Sequence, residues 1–163
     1  MFELGIVGGK NAGKTTLIET LLPELTSHGL RVGTIKHSSH RHTFDTEGKD
    51  SYRHRAAGAF MTMAVSEGEL ALFSGDTALA ETITAQLMAA HCDMCLVEGD
   101  RTTRRPKVFL TRGLSESDAP LPDQIIASYG PEALTDGIPH FALDDITGLA
   151  LFIIQQIPAR RAT

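Results

Sequence analysis

The stretch that most constrains this chain is Gly8-Gly9-Lys10-Asn11-Ala12-Gly13-Lys14-Thr15-Thr16. Gly8, Gly13, Lys14 and Thr15 occupy the fixed positions of the pattern G-x-x-x-x-G-K-[ST]. That pattern needs a buried strand before it and a helix after it. Leu4-Gly5-Ile6-Val7 has the composition of the strand, and Leu17, Ile18, Leu21, Leu22 and Leu25 recur at helical spacing. The glycines let the backbone wrap tightly, so that its N–H groups point inward at phosphate oxygens. The start of the helix adds unpaired donors and a positive dipole end. All nine residues, Gly8, Gly9, Lys10, Asn11, Ala12, Gly13, Lys14, Thr15 and Thr16, are therefore expected to hold a nucleotide's phosphates. Lys14 would reach the β- and γ-phosphates, and the Thr15 hydroxyl would ligate Mg²⁺.

The rest of the chain predicts an α/β fold with a mostly parallel sheet flanked by helices. The first helix should run from Lys14 to about His28, kinked or split by Pro23 and stopped at Gly29. Leu30 to Lys36 reads as the next strand, which makes a strand–helix–strand unit and hence parallel pairing. Gly48 to Gly58 reads as a short helix with Arg53, His54 and Arg55 on a basic face. Residues 60–65 and 70–73, around the turn Ser66-Glu67-Gly68-Glu69, read as an antiparallel hairpin. Asp76 is placed to cap a helix striped by Leu79, Ile83 and Leu87. Strands follow near residues 93–98, 106–112, 123–128 and 139–143. A closing helix carries Ile146, Leu149, Ile153 and Ile157 on one face. A length of 163 residues suits one domain, 1–163, with the hairpin at about 60–73 as an insertion.

Composition narrows the function classes. A net charge of −5 argues against a general nucleic-acid binder. No apolar run is long enough to span a membrane, and Met1-Phe2-Glu3 lacks the features of a signal peptide, so a cytoplasmic protein is expected. Cys92 and Cys95 are spaced C-x-x-C, but no second pair exists to complete a four-cysteine zinc site. Buried cysteines acting as small hydrophobes are the better reading.

Three polar stretches carry candidate chemistry. His37, His40 and His42 fall within six residues, at a spacing that matches no strong metal template. Asp45 and Asp50 follow in the same loop, where phosphate-loop folds commonly sense Mg²⁺ and the γ-phosphate; either could instead cap a helix. The apolar run Met94-Cys95-Leu96-Val97 ends in Glu98, which should emerge at the carboxyl edge of the sheet beside the phosphate loop. A carboxylate there can hold Mg²⁺ directly or through water, with Asp100 as the second choice. Arg101, Arg104, Arg105 and Lys107 then form a basic cluster that could grip phosphates or simply face solvent. The Asn-Lys-x-Asp motif by which many GTPases read guanine is absent, since Asn11 is the only asparagine in the chain. The motif therefore implies a nucleoside triphosphate and leaves the base open, although a backbone-mediated base pocket near Ala127-Ser128-Tyr129 is possible.

Several short segments occur together in this order: the phosphate loop, Thr34-Ile35-Lys36-His37, Phe44-Asp45-x-x-Gly48-Lys49-Asp50-Ser51, Ala57-Gly58-Ala59, Leu96-Val97-Glu98-Gly99 and Arg105-Pro106-Lys107. In this combination, over about residues 4 to 157, the chain resembles the MobB family of molybdopterin-guanine dinucleotide biosynthesis proteins. The resemblance implies a GTP-binding adaptor with weak GTPase activity in molybdenum cofactor biosynthesis, working beside MobA, which attaches GMP to molybdopterin. It also implies a homodimer with the hairpin strands at its interface. The acid of Val97-Glu98-Gly99 looks like the Mg²⁺ ligand of dethiobiotin synthetase, which favours Glu98 and, by the same analogy, Asp50 or Asp45. On these readings Lys14, Glu98 and Asp50 would act in catalysis, Arg101 would join the nucleotide site, and Mg²⁺ would be held by Thr15, Glu98, Asp50 and Asp45. The aromatic expected after Val-Glu-Gly in this family is missing, because Asp100 and Arg101 follow instead. Two other classes remain as alternatives: a metal-insertion GTPase, supported only by the histidine cluster, and an ATP-dependent small-molecule enzyme of the dethiobiotin synthetase type.

Overall fold

In a computed structural model of the chain, residues 1–38, 43–115, 118–135 and 137–158 are described. Strand β1, Phe2–Gly8, is followed by helix α1, Lys14–Ser27, and strand β2, Val32–Lys36. Helix α2, Asp50–Ala56, hairpin strands β3, Met61–Val65, and β4, Leu70–Ser74, and helix α3, Thr77–His91, come next. Strands β5, Met94–Glu98, β6, Lys107–Leu110, β7, Ile125–Tyr129, and β8, His140–Phe141, precede helix α4, Ile146–Gln156. Residues 1–37 and 88–163 group into one compact unit, and residues 38–87 into a second.

The first unit is built on a six-stranded sheet in the order β2-β5-β1-β6-β7-β8. Every neighbouring pair in it is parallel. β1 is central because its residues are apolar enough to be buried on both faces: Leu4, Ile6 and Val7 are fully buried. Alternate residues point to opposite faces. Leu4 and Ile6 join Met94, Leu96, Val108 and Leu110 in a core roofed by Leu17, Leu21 and Leu25 of α1 and Leu149 and Ile153 of α4. Asp145 caps α4 by accepting the Gly148 N–H at 3.0 Å.

Pro23 neither splits α1 nor ends it, contrary to the sequence expectation, since the helix is continuous from Lys14 to Ser27. Proline removes the bond to the carbonyl of Glu19, but Pro23 and Glu19 are both exposed, so water can satisfy that carbonyl. Gly29, with φ 80°, takes the left-handed stop expected of it. The expected stripe of α3 is only partly used: Leu79 and Ile83 are half-buried and Leu87 is exposed. Helical spacing reports a capacity to bury an apolar face, and does not guarantee a surface to bury it against.

The connection from β5 to β6 has to cross β1, because those strands flank it. Residues 99–106 make this crossing without a helix. Gly5 permits the close approach: its N–H donates to the Pro106 carbonyl at 2.8 Å. A Cβ at residue 5 would stand 3.0 Å from Lys107 Cγ, with the Pro106 carbonyl and Arg105 Cδ just beyond.

The second unit holds the two-stranded antiparallel sheet β3-β4, in register from Met61 opposite Ser74 to Val65 opposite Leu70. Its apolar core is thin, and Arg55 serves as its hub. The guanidinium pairs with Asp45 at 3.1 Å and lies 5.2 Å from the Phe73 ring centroid and 6.0 Å from that of Tyr52. Asp76 caps α3 through the Leu79 N–H, as the sequence predicts. Among the described residues no helix is long and apolar enough to cross a membrane.

The crossing at Gly5 generates a testable expectation. Gly5→Ala should lower the unfolding free energy by about 1–3 kcal/mol through overpacking against the buried Lys107 side chain, where the crossing enters β6. A urea denaturation curve identical to that of the parent would contradict it.

Candidate phosphate-binding site

β1 delivers the phosphate loop to the carboxyl edge of the sheet, at its middle. Gly13, with φ 96° and ψ 22°, turns the chain into α1 in a conformation that glycine adopts without a Cβ penalty. Among the described residues no side chain caps this helix start. Its first-turn N–H groups thus remain available to an anion. The Lys14 ammonium folds back over the loop and donates to the carbonyls of Gly8 at 3.1 Å and Gly9 at 2.6 Å. Its nitrogen therefore lies at the loop's interior rather than in bulk solvent.

Glu98 emerges at the carboxyl end of β5, next to β1, as the sequence predicts. The Thr15 hydroxyl donates to Glu98 Oε1 at 3.2 Å. Lys36, at the end of β2, stands 3.9 Å from Glu98 Oε2. Parallel register explains the meeting, since Lys36 is opposite Glu98 across β2–β5, and Glu98 is opposite Ile6 across β5–β1. One hydroxyl and one carboxylate thus converge beside the uncapped helix start. This hard-oxygen donor pair suits a divalent cation such as Mg²⁺.

Asp45 and Asp50 belong to the second unit, and each has local partners. Asp45 is nearly buried; it accepts from Ser51 Oγ at 2.8 Å and from Arg55 Nε at 3.2 Å. Asp50 is exposed in the first turn of α2, 3.5 Å from Arg53. Of the histidine cluster, His40 and His42 lie outside the described residues, and His37 is exposed. Among the described residues no group of three His, Cys, Asp or Glu side chains gathers in a metal-binding cluster. Cys95 is fully buried in β5, and burial first, then the nearby Glu3 carboxylate, pushes its thiol up to about 11. It packs as a hydrophobe. Cys92 is half-buried, with its Sγ 3.8 Å from Met88 Sδ.

Within the protein, the basic cluster after Glu98 is largely tied to partners of its own. Lys107 is fully buried, and its ammonium donates to the carbonyls of Thr103, Arg105 and Asp123. Burial depresses its pKa. Arg105 is largely buried and pairs with Glu3 at 3.3 Å and Asp100 at 3.4 Å. Arg101 is held by Asp118. Arg104 alone of the four is exposed. These charges tie down a connection that has no helix to hold it.

Asp100 belongs to the same tie and makes a poor second choice as metal ligand. It accepts from the backbone N–H groups of Thr102 and Thr103 and from both their hydroxyls. Burial opposes ionisation, but the Thr103 and Thr102 hydrogen bonds and Arg105 outweigh it, and the pKa is lowered. Asp118, which sequence reasoning missed, sits in the loop after β6 with only 5% of its surface exposed. Its carboxylate oxygens lie 3.3 Å from the place a Cβ would take at Gly9. The only cue in the sequence was an acid in a polar loop, and Glu116 shares that cue.

Strand, glycine-rich loop, uncapped helix and a facing carboxylate on a parallel sheet define an α/β phosphate-loop fold of the nucleotide-binding kind. The family model for molybdopterin guanine dinucleotide synthesis protein B matches residues 3–129, and the chain belongs to this MobB family. It is 37% identical over 122 residues to a molybdopterin-guanine dinucleotide biosynthesis adapter protein of Haemophilus influenzae, covering 74% of this chain and 67% of that protein. It is 32% identical to the protein of the same name from Escherichia coli, covering 93% and 91% of the two chains. The crystal structure of Bacillus subtilis MobB superposes with a TM-score of 0.73 at 31% identity, over 98% of this chain and all of that one.

The ties around Asp100 predict a pH signature. Its depressed pKa stabilises the fold above the ordinary aspartate value of about 3.9, and that stability is lost as pH falls through the lower folded value. Asp100→Asn should therefore cost about 1 kcal/mol at pH 7, and the gap from the parent should narrow as denaturation is repeated toward pH 3. A gap independent of pH would contradict the ionised tie.

Proposed function

We propose that this protein is a GTP-binding adaptor of molybdenum cofactor biosynthesis. In this reading it assists a MobA-like guanylyltransferase in converting molybdopterin to molybdopterin guanine dinucleotide. The observation that carries the nucleotide half of the reading is the convergence of the Thr15 hydroxyl and the Glu98 carboxylate at the uncapped start of α1. Membership of the MobB family supports the pathway half.

The loop from Gly8 to Thr16 binds the phosphates through backbone N–H groups. Lys14 exchanges the Gly8 and Gly9 carbonyls for β- and γ-phosphate oxygens. Thr15 and Glu98 hold Mg²⁺, while Asp45 and Asp50 each have partners within their own unit. The bound Mg²⁺ supplies charge neutralisation for the triphosphate. Hydrolysis is slow in this reading, because Glu98 is committed to Mg²⁺ beside Thr15 rather than to orienting a water. An adaptor needs occupancy more than turnover. Phe60, Met63, Val65 and Leu70, exposed on and beside the hairpin, support a homodimer built on that hairpin.

Calorimetry with Mg-GTP tests the assignment. Lys14→Ala should weaken binding roughly hundredfold. Glu98→Gln should remove most of the difference in affinity between Mg²⁺-containing and Mg²⁺-free buffer. Unchanged affinity in Lys14→Ala would refute the phosphate-loop assignment.

A further inference from the structure

Asp118 is an unexpected group to find at this site. A loop that collects phosphates through its N–H groups is a poor neighbour for a carboxylate, because like charges repel strongly where water is excluded. Yet both Asp118 oxygens lie against Gly9, 3.3 Å from the position a Cβ would take. Gly9 is also the residue whose carbonyl receives the Lys14 ammonium at 2.6 Å, so this is the end of the loop that Lys14 marks for the β- and γ-phosphates.

The Asp118 carboxylate is neutralised from two sides. Oδ2 accepts the Ser115 N–H at 3.1 Å and its hydroxyl at 3.3 Å. Oδ1 accepts Arg101 Nη1 at 3.1 Å, and the Asp118 carbonyl accepts Arg101 Nη2 at 2.6 Å. The guanidinium also lies 6.0 Å from the centroid of the buried Phe109 ring, on the strand beside β1. Its position is therefore fixed from several directions. Two of its five N–H donors are used by Asp118, and the side chain remains 34% exposed. A loop staple alone would need only Ser115 and Asp118. The added guanidinium joins the connection after β5 to the loop after β6 and brings a fixed positive charge to the carboxylate that lines Gly9.

We propose that Asp118 is a positioning residue of the nucleotide site: it fixes the Arg101 guanidinium beside the phosphate loop, so that a cation of the same chain faces the terminal phosphate of a nucleoside triphosphate. This rests on the nucleotide-binding reading given above. The remaining guanidinium N–H groups donate to the γ-phosphate while Asp118 keeps the other edge. The side chain thereby distinguishes a triphosphate from a diphosphate. Gly at position 9 follows from the same arrangement, since a methyl there would press on the carboxylate.

The test is calorimetry of Mg-GTP and Mg-GDP with the full chain, its Asp118→Asn and Arg101→Ala variants and the double variant, alongside their melting temperatures. Each single variant should bind Mg-GTP about tenfold more weakly and Mg-GDP within about twofold of the parent. The double variant should be no weaker than either single one, because the two residues act as one unit. Equal losses for both nucleotides would mean that Asp118 only shapes the loop, and would overturn the assignment. Tighter Mg-GTP binding in Asp118→Asn would mean that Asp118 restrains Arg101 from the phosphate, and would also overturn it. Should Asp118→Asn fail to fold, Arg101→Ala alone decides through the same triphosphate-to-diphosphate ratio. A parent protein that binds neither nucleotide would overturn the nucleotide reading itself, and this assignment with it.

Discussion

The structure depends on β1 being hydrogen-bonded along both edges, to β5 on one side and β6 on the other. That pairing fixes where β1 ends, and so where the phosphate loop begins. It also sets the register that carries Glu98 to the carboxyl edge within reach of Thr15. Neither side chain would find the other if β5 slipped by one residue, because a slip turns every side chain to the opposite face. The metal-binding potential of the site is thus a property of sheet register as much as of the motif.

Placing β5 and β6 on opposite sides of β1 has a structural consequence. A connection of eight residues, 99–106, must cross the central strand, and it is too short to contain a helix. Charge does the work that an apolar helix face would otherwise do. Lys107 is buried with three carbonyl partners, Arg105 bridges Glu3 and Asp100, and Arg101 reaches Asp118. Buried charge is tolerated only when it is fully partnered, and most of these groups are. The Nε and Nη1 atoms of Arg105 are the exception, buried with no hydrogen-bond partner among the described residues. The same connection that solves a topological problem brings Arg101 to Asp118, the carboxylate that lies against Gly9.

The sequence made the fold class legible because its signals were local. The motif from Gly8 to Thr16, the apolar run 94–97 ending in Glu98, the hairpin around Gly68 and the Asp76 cap each depend on neighbours in the chain. Pro23 misled because the helix presents it, together with Glu19, to solvent, where a lost hydrogen bond is cheap. The basic cluster was only partly legible, for a different reason. Four cations in seven residues look like a surface patch, and only the strand order, which no local pattern encodes, reveals that three of them are tied inside a crossing. Asp118 was invisible for the same cause: its partners, Arg101 and Gly9, are distant in sequence and meet only through the sheet. The partners of Asp45, Ser51 and Arg55 in its own unit, were not read from the sequence either.

The central claim is that the loop from Gly8 to Thr16 serves a guanine nucleotide. The most direct test is titration calorimetry of the purified protein with GTP and with ATP, each in Mg²⁺ buffer. The account predicts a clear preference for GTP, of about tenfold or more, a difference of roughly 1.4 kcal/mol. Equal affinities, or a preference for ATP, would contradict the cofactor-pathway adaptor and point to an ATP-dependent small-molecule enzyme on the same fold.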